Sequence, residues 1–269
     1  MSSEYKNIFT GYLHSLSNRC IFAVHQITHS ILQEHTYIAK TLFGLEDALV
    51  KELEELGAKN IQKLHRAVQF EGDKTFLYSA NLNLRTALRI IQPIWTGTIN
   101  TAGELYDALR SINWQKYLNT GSTFVINSFV NDTDRLTSGQ FVSLKAKDAI
   151  ADQFNERFGK RPSIDKECPD IYIDIHINRK ECTISLDSSG ESLNRRGYRS
   201  EADLAPMNEV LAAGMVLLSG WDGTGDFVDF MCGSGTIAIE ALLYAKSVAP
   251  GKFRKKFAFM QWPDFDLLL

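Results

Sequence analysis

Cysteine is scarce in this 269-residue sequence: four residues, Cys20, Cys168, Cys182 and Cys232, none in a CxxC pair. That excludes a zinc ribbon and a disulfide framework, and it suits a reducing, cytoplasmic setting. Long apolar runs are missing too; none approaches the roughly 20 residues a membrane helix needs. No sign of charge dominates. The formal net charge of -3 excludes a globally basic nucleic-acid binder, though not a local basic face. Internal repeats and low-complexity tracts are absent as well. What is present is ordinary for a folded chain, 44% hydrophobic and 23% charged residues, enough for one large domain or two smaller ones.

The first 36 residues hold four of the six histidines and little clean periodicity. The run CIFAV (20–24) is too short for a secretory core and no small-residue cleavage site follows it. His25 and His29 stand i, i+4, as helical metal ligands do, but no third ligand accompanies them. Residues 1–36 are therefore expected to be a poorly ordered or accessory extension, and no metal site is expected.

Regular patterning starts at Tyr37. YIAKTLF (37–43) predicts a strand and GLEDALVKELEELGA (44–58) an amphipathic helix, with Leu45, Ala48, Leu49, Leu53 and Leu56 on one face and Gly57 closing it. AVQFEG (67–72) predicts a strand and DKTFLYSANLNL (73–84) a helix. RIIQPIW (89–95) predicts a strand that Pro93 assigns to an edge or an end. This β-α-β-α-β order suggests a small ferredoxin-like sandwich.

A second unit follows. Residues 102–118 predict a helix in two pieces, and STFVINSFV (122–130) a strand. Residues 140–159 predict the strongest helix, with Phe141, Leu144, Ala149, Ile150 and Phe154 near one face. DIYIDIHIN (170–178) and ECTISLD (181–187) alternate as paired strands around a turn at Asn178-Arg179-Lys180. SSGESLNRRGYRS (188–200) predicts a polar linker and the main domain boundary. A third unit opens with a helix from about Ala205 to Ser219, Pro206 in its first turn. DFVDFMC (226–232) then predicts a strand, and residues 234–248 a helix. The segment after Pro250 is expected to run out without completing a fold.

DFMCGSGTIAIEA (229–241) carries the chemistry. An apolar run ends in an acid, passes through Gly233 and Gly235, and opens a helix whose unpaired N–H groups favour a polar or anionic ligand. A phosphate-binding P-loop needs a Lys after the second glycine, and none follows Gly235. Gly233-Ser234-Gly235-Thr236-Ile237-Ala238 fits a loose dinucleotide fingerprint. The region about 20 residues on, where that fold needs an acid, holds Lys252, Arg254, Lys255 and Lys256, an argument for NADP. S-adenosylmethionine is the third candidate, with Asp229 beside its methionine moiety. A tight strand–helix turn with no ligand is the fourth reading.

This stretch resembles the cofactor signature of the bacterial THUMP-containing 23S rRNA guanine-N2-methyltransferases, the ribosomal RNA large subunit methyltransferase L family. Further resemblance lies, in the same order, in YIAKTLFGLEDALVKEL, RAVQFEGD, ANLNLRTALRI, KDAIADQF, GKRPSID, SLDSSGESLNRRGYR and APMNEVLAAGMVLLSGWDG. It covers residues 37–269. It implies an α/β protein with a ferredoxin-like subdomain at about 37–97, a THUMP RNA-binding domain at about 98–190, and from 191 to 269 the start of a Rossmann-like methyltransferase domain.

It also implies S-adenosyl-L-methionine as cofactor, bound by Asp229, Gly233, Ser234, Gly235 and Thr236. Arg195, Gly197, Tyr198, Arg199, Ala205, Pro206 and Asn208 match the segment expected to close over the cofactor; packing of a domain linker is the other reading of them. The implied partner is 23S rRNA or its precursor. Lys145, Lys147, Arg157, Lys160 and Arg161 lie on or just after the strongest helix, Lys145 and Lys147 not on one face; they read either as a plain solvated surface or, as the THUMP resemblance favours, as phosphate contacts. The implied reaction is in-line attack of a guanine exocyclic amine on the sulfonium methyl, aided by an Asn-Pro-Pro-Tyr segment, the base being first splayed from its stack.

Departures are specific. Phe230 stands where the family has Pro, and Leu136-Thr137-Ser138-Gly139 where it has an aromatic-x-His-Ser. Six prolines occur and no two are adjacent, so Asn-Pro-Pro-Tyr is missing and no catalytic residue is assigned. The expectation is a C-terminally truncated methyltransferase, inactive alone, with weak cofactor affinity and an exposed edge on a partial methyltransferase sheet. Alternatives are an RNA-binding module without methyltransferase activity and a fragment of a nucleic-acid adenine-N6 methyltransferase.

Overall fold

The computed structural model describes residues 33–132, 136, 138–199 and 206–267. The expected extension at 1–36 falls almost wholly outside them, as do Thr137 and Ala205.

The first unit is β1 (His35–Lys40), α1 (Glu46–Leu56), β2 (Lys59–Leu64), β3 (Ala67–Gly72), α2 (Lys74–Asn83) and β4 (Arg89–Thr98). This is the βαββαβ ferredoxin-like order, in a sheet running β2-β3-β1-β4 with antiparallel neighbours. Helix α1 buries Ala48, Leu49 and Leu53 as its 3.6-residue periodicity requires. It stops at Gly57, which takes the left-handed conformation (φ 88°) and returns its N–H to the carbonyl of Glu54.

The second unit continues the same sheet. Its elements are α3 (Ala102–Ser111), a 3₁₀ turn at Trp114–Lys116, β5 (Thr123–Asn131), α4 (Gly139–Phe158), β6 (Ser163–Ile164), β7 (Ile171–Asn178) and β8 (Glu181–Asp187). The eight strands run β2-β3-β1-β4-β8-β7-β5-β6. Strands β5 and β7 are parallel, joined by the 20-residue crossover helix α4. Strand β4 is therefore interior, hydrogen-bonded to β1 on one side and β8 on the other. That corrects the assignment of Pro93 to an edge. A register shift between Pro93 and Trp95 absorbs the missing N–H, so the strand tolerates proline in the middle of the sheet.

One core runs through both units, from Tyr37, Phe70 and Ile90 to Trp114, Phe124, Phe154 and Ile175. Trp114 is fully buried with its indole N–H donated to the Leu109 carbonyl, 2.8 Å away. In α4 the buried positions are Val142, Ala146, Ala149, Ile150, Ala151, Gln153 and Phe154. Phe141 and Leu144, expected on that face, are instead exposed, because they lie on the flank turned from the sheet.

Residues 187–190 are not a solvated linker. Asp187, Ser188 and Ser189 are buried. The Ser189 hydroxyl donates to Asn81 Oδ1 (2.7 Å) and accepts the Ile90 N–H (2.9 Å), while Ser188 Oγ donates to the Ile90 carbonyl (2.7 Å). These hydroxyls replace ladder partners where β8 ends, so the segment reads as polar in sequence yet packs as core.

The third unit holds α5 (Glu209–Leu218), α6 (Thr236–Ala245) and a 3₁₀ turn at Ala258–Gln261. Pro206 precedes α5 rather than opening it. Residues 226–232, expected as a strand, form none: a strand needs a hydrogen-bonded neighbour, and no described segment pairs with them. The expected sheet edge is accordingly missing among the described residues; Val228, Phe230 and Met231 stand exposed instead. The segment after Pro250 does not trail away. Phe257, Phe259 and Trp262 enter the main core, Phe259 stacks on Tyr78 of α2 (centroids 4.4 Å apart), and its N–H donates to the Ser188 carbonyl at 3.0 Å. No described helix is long and apolar enough to cross a membrane.

Candidate cofactor turn and its supporting cluster

Helix α6 begins at Gly235, which is left-handed (φ 74°), as is Gly233 (φ 52°). Those torsions suit glycine, and a Cβ placed on either would meet nothing within 4 Å, so the turn is open on its outer side. The Gly235 N–H donates to the Cys232 carbonyl at 2.7 Å, tightening the loop. Asp229 Oδ1 accepts the Met231 N–H at 3.0 Å. Asp229 Oδ2 is buried without a hydrogen-bond partner, a vacant acceptor at the start of the turn.

Arg199 ties the turn to the rest of the unit. Its guanidinium pairs with Glu209 at 2.7 Å and donates to Thr236 Oγ1 at 2.6 Å and to Ser234 Oγ at 3.5 Å. The structure thus brings the side chains of Arg199, Ser234 and Thr236 together. Asn208 has a different observed task. Its Oδ1 accepts the N–H groups of Val210 (2.9 Å) and Leu211 (3.3 Å), capping α5. Asn208→Ala should lower stability by about 1 kcal/mol in urea unfolding, the usual loss for such a cap; an unchanged midpoint would contradict the capping role. Pro206 is exposed and forms no part of this cluster.

Beneath the turn lies a buried ion pair that the motif match did not single out. Arg196 and Glu240 have side chains 2% and 0% exposed, with Arg196 Nε 3.5 Å from Glu240 Oε1. Arg196 also donates to the carbonyls of Leu193 (2.9 Å) and Arg85 (2.6 Å), and Tyr198 Oη to Glu240 at 3.3 Å. Burial pushes the Glu240 carboxyl above the usual range, against the pull of Arg196 and Arg85. The cluster joins residues 193–199 to α6 and to the first unit.

The cationic run at 252–256 does not act as one patch. Arg254 is spent on structure, donating to the carbonyls of Ser192 (2.9 Å), Arg195 (2.7 Å), Glu191 (2.9 Å) and Ser189 (3.3 Å). That removes it from the NADP argument, since a guanidinium so engaged has little left for a phosphate. Lys255 and Lys256 are exposed and border a cavity of about 570 Å³ between residues 167–172, 189–197 and 253–261. Sequence reading missed this cavity.

The expected RNA contacts divide. Arg157, Lys160 and Arg161 are exposed together at the end of α4. Lys145 sits over the Tyr106 ring at 5.7 Å, and Lys147 is 3.3 Å from Asp148. Ten helical residues, roughly 15 Å, separate Lys147 from Arg157, so the five do not make one patch.

Comparison with known proteins bears on the domains that surround this turn. The THUMP-domain family model matches residues 100–187, the RlmL ferredoxin-like domain residues 36–91, and the RMKL-like methyltransferase domain residues 196–266. The chain carries a THUMP domain between a ferredoxin-like and a methyltransferase-like domain. It is 40% identical over 230 residues to slr0064 of Synechocystis, described as an RNA methyltransferase candidate, covering 86% of this chain and 60% of that protein.

Among solved structures it resembles the methyltransferase candidate SMU.472 in complex with SAH (TM-score 0.77, 31% identity, 88% of this chain and 62% of that one). It also resembles a Listeria monocytogenes protein described as a predicted N6-adenine-specific DNA methylase (TM-score 0.75, 30% identity, 86% and 60%). TrmN from Thermus thermophilus shares the fold at 18% identity (TM-score 0.55, 81% and 63%). The chain spans about 60% of the length of these relatives.

Proposed function

We propose that the protein acts in S-adenosyl-L-methionine-dependent methylation of RNA, with the THUMP domain holding the RNA, and that the target is the N2 amine of a guanine in 23S rRNA in the cytoplasm. The observation that carries the reading is the Asp229–Thr236 turn, open at both glycines and with a vacant acceptor on Asp229, in a chain that also carries a THUMP domain. The donor set fits the cofactor. The glycines leave room for its approach, the Asp229 carboxylate can accept from its ammonium or hydroxyls, and the hydroxyls of Ser234 and Thr236 flank the helix start. When bound, the cofactor supplies an electrophilic methyl group. Arg199, through Glu209 and Thr236, would keep the turn in register. No residue of this sequence is given a catalytic role, because Asn-Pro-Pro-Tyr does not occur in it.

Deleting the gene and digesting the organism's 23S rRNA to nucleosides tests the reading by mass spectrometry. The expected result is loss of one N2-methylguanosine, restored by the gene. Loss of a different methylated nucleoside would overturn the guanine assignment. Loss of N6-methyladenine from DNA would favour the second reading, an adenine-N6 methyltransferase, for which the description of the Listeria relative speaks. Unchanged methylation with RNA binding retained would favour an RNA-binding module alone.

A further inference from the structure

Outside the cofactor turn, the cavity of about 570 Å³ beside the THUMP domain has the size of a ligand pocket. Three segments distant in sequence build it: 167–172, 189–197 and 253–261. Its lining divides by chemistry. Lys255 and Lys256 are exposed and make no ion pair among the described residues; Lys256 Nζ rests only 3.8 Å from the exposed thiol of Cys168. Of the acids lining it, Glu191 is paired with Arg195 (3.4 Å), and Asp170 accepts from the N–H (2.8 Å) and hydroxyl (3.0 Å) of Thr123, leaving Glu167 opposite two lysines. Phe253, 45% exposed, adds a flat apolar surface to the same lining. The floor is fixed, because Arg254 clamps four carbonyls of 189–195 and Phe257 is buried in the core. The apolar exposure of the methyltransferase-like part (Val228, Phe230, Met231) belongs to other residues than those lining this cavity.

Two consecutive lysines and an exposed ring lining one cavity over a rigid floor match a ligand that carries both negative charge and a flat face. We propose that this cavity receives one nucleotide of bound RNA, its phosphates on Lys255 and Lys256 and its base against Phe253. The proposal rests on the reading that the chain binds RNA, and it places part of that contact outside α4.

The test uses a fluorescein-labelled 20-nucleotide RNA hairpin with a single-stranded overhang, titrated by anisotropy against the chain at several salt concentrations. Lys255→Ala with Lys256→Ala is expected to weaken binding about tenfold and to make the slope of log K against log salt shallower by about two. Lys252→Ala, three residues before Lys255 and outside the lining, should change neither. Bound RNA should also slow alkylation of the exposed Cys168 by iodoacetamide. If the unaltered chain does not bind the hairpin, the RNA reading falls and takes this site with it. If it binds while the double variant keeps the same affinity and slope, or Cys168 stays equally reactive, the site alone is overturned. Equal losses from the Lys252 variant and the double variant would mean diffuse attraction and would likewise overturn it.

Discussion

Arg196→Ala is expected to lower the unfolding free energy by about 3–5 kcal/mol, the range for breaking a fully buried ion pair by removing one partner. The loss comes less from the 3.5 Å contact than from what remains. Glu240 would stay buried with Tyr198 Oη as its remaining donor and one oxygen, Oε2, already lacking a hydrogen-bond partner. Its carboxyl is raised by burial even with Arg196 present, so without that guanidinium the ionised form becomes costlier still.

The direction with pH follows. A carboxyl whose folded pKa is raised favours the native state below the ordinary glutamate range, and that contribution fades as pH rises through the folded value. The deficit of Arg196→Ala should therefore be largest at neutral pH and shrink on acidification, as Glu240 takes up a proton and needs no counter-charge. Urea unfolding between pH 4.5 and 7.5 reads both effects. Pairing Arg196→Met with Glu240→Leu should recover much of the loss, since apolar groups of similar volume often replace a buried pair without cost. A loss under 1 kcal/mol for Arg196→Ala, or a deficit that grows on acidification, would show that the pair does not hold this unit together.

Much of the sheet was legible because its signals are local. Alternation in DIYIDIHIN and ECTISLD placed β7 and β8 within a residue, and the glycine after LEDALVKELEEL placed the end of α1. Strand β2, KNIQKL, was not read, since it is mostly exposed and lacks an alternating apolar face; its pairing with β3 makes it a strand. DFVDFMC failed in the opposite way: its composition is that of a strand, but no described neighbour pairs with it.

The candidate site divides along the same line. Gly233 and Gly235 announce a tight turn by residue type alone, whereas the Arg199–Thr236 contact joins residues 37 apart. Arg254 looked like a phosphate ligand in sequence because nothing local reveals the four carbonyls waiting for it. The cavity beside it depends on three separated segments meeting, so no single stretch encodes it.

Gly197→Ala should be nearly as damaging as Arg196→Ala, for a reason of shape rather than charge. Gly197 has φ +90°, a left-handed conformation that alone costs a non-glycine residue about 1–3 kcal/mol. An added Cβ would also lie 2.5 Å from the Phe253 carbonyl oxygen and 2.9 Å from its carbon. Those are backbone atoms, and they cannot turn aside as a flexible side-chain end can. Either 197–199 or 253–254 must move. The first carries Arg199 to the cofactor turn; the second carries Arg254 and the rim of the lysine-lined cavity. The expected loss is about 2–4 kcal/mol in urea unfolding, strain and overlap together.

Gly44→Ala separates the two terms. Gly44 has a similar φ of +87° but nothing within 4 Å of the new methyl, so it should cost only about 1 kcal/mol. If the two variants proved equal, the close approach of Gly197 to Phe253 would carry no weight, and the segment 253–261 would be held by Arg254 and the buried Phe257 and Phe259 without it.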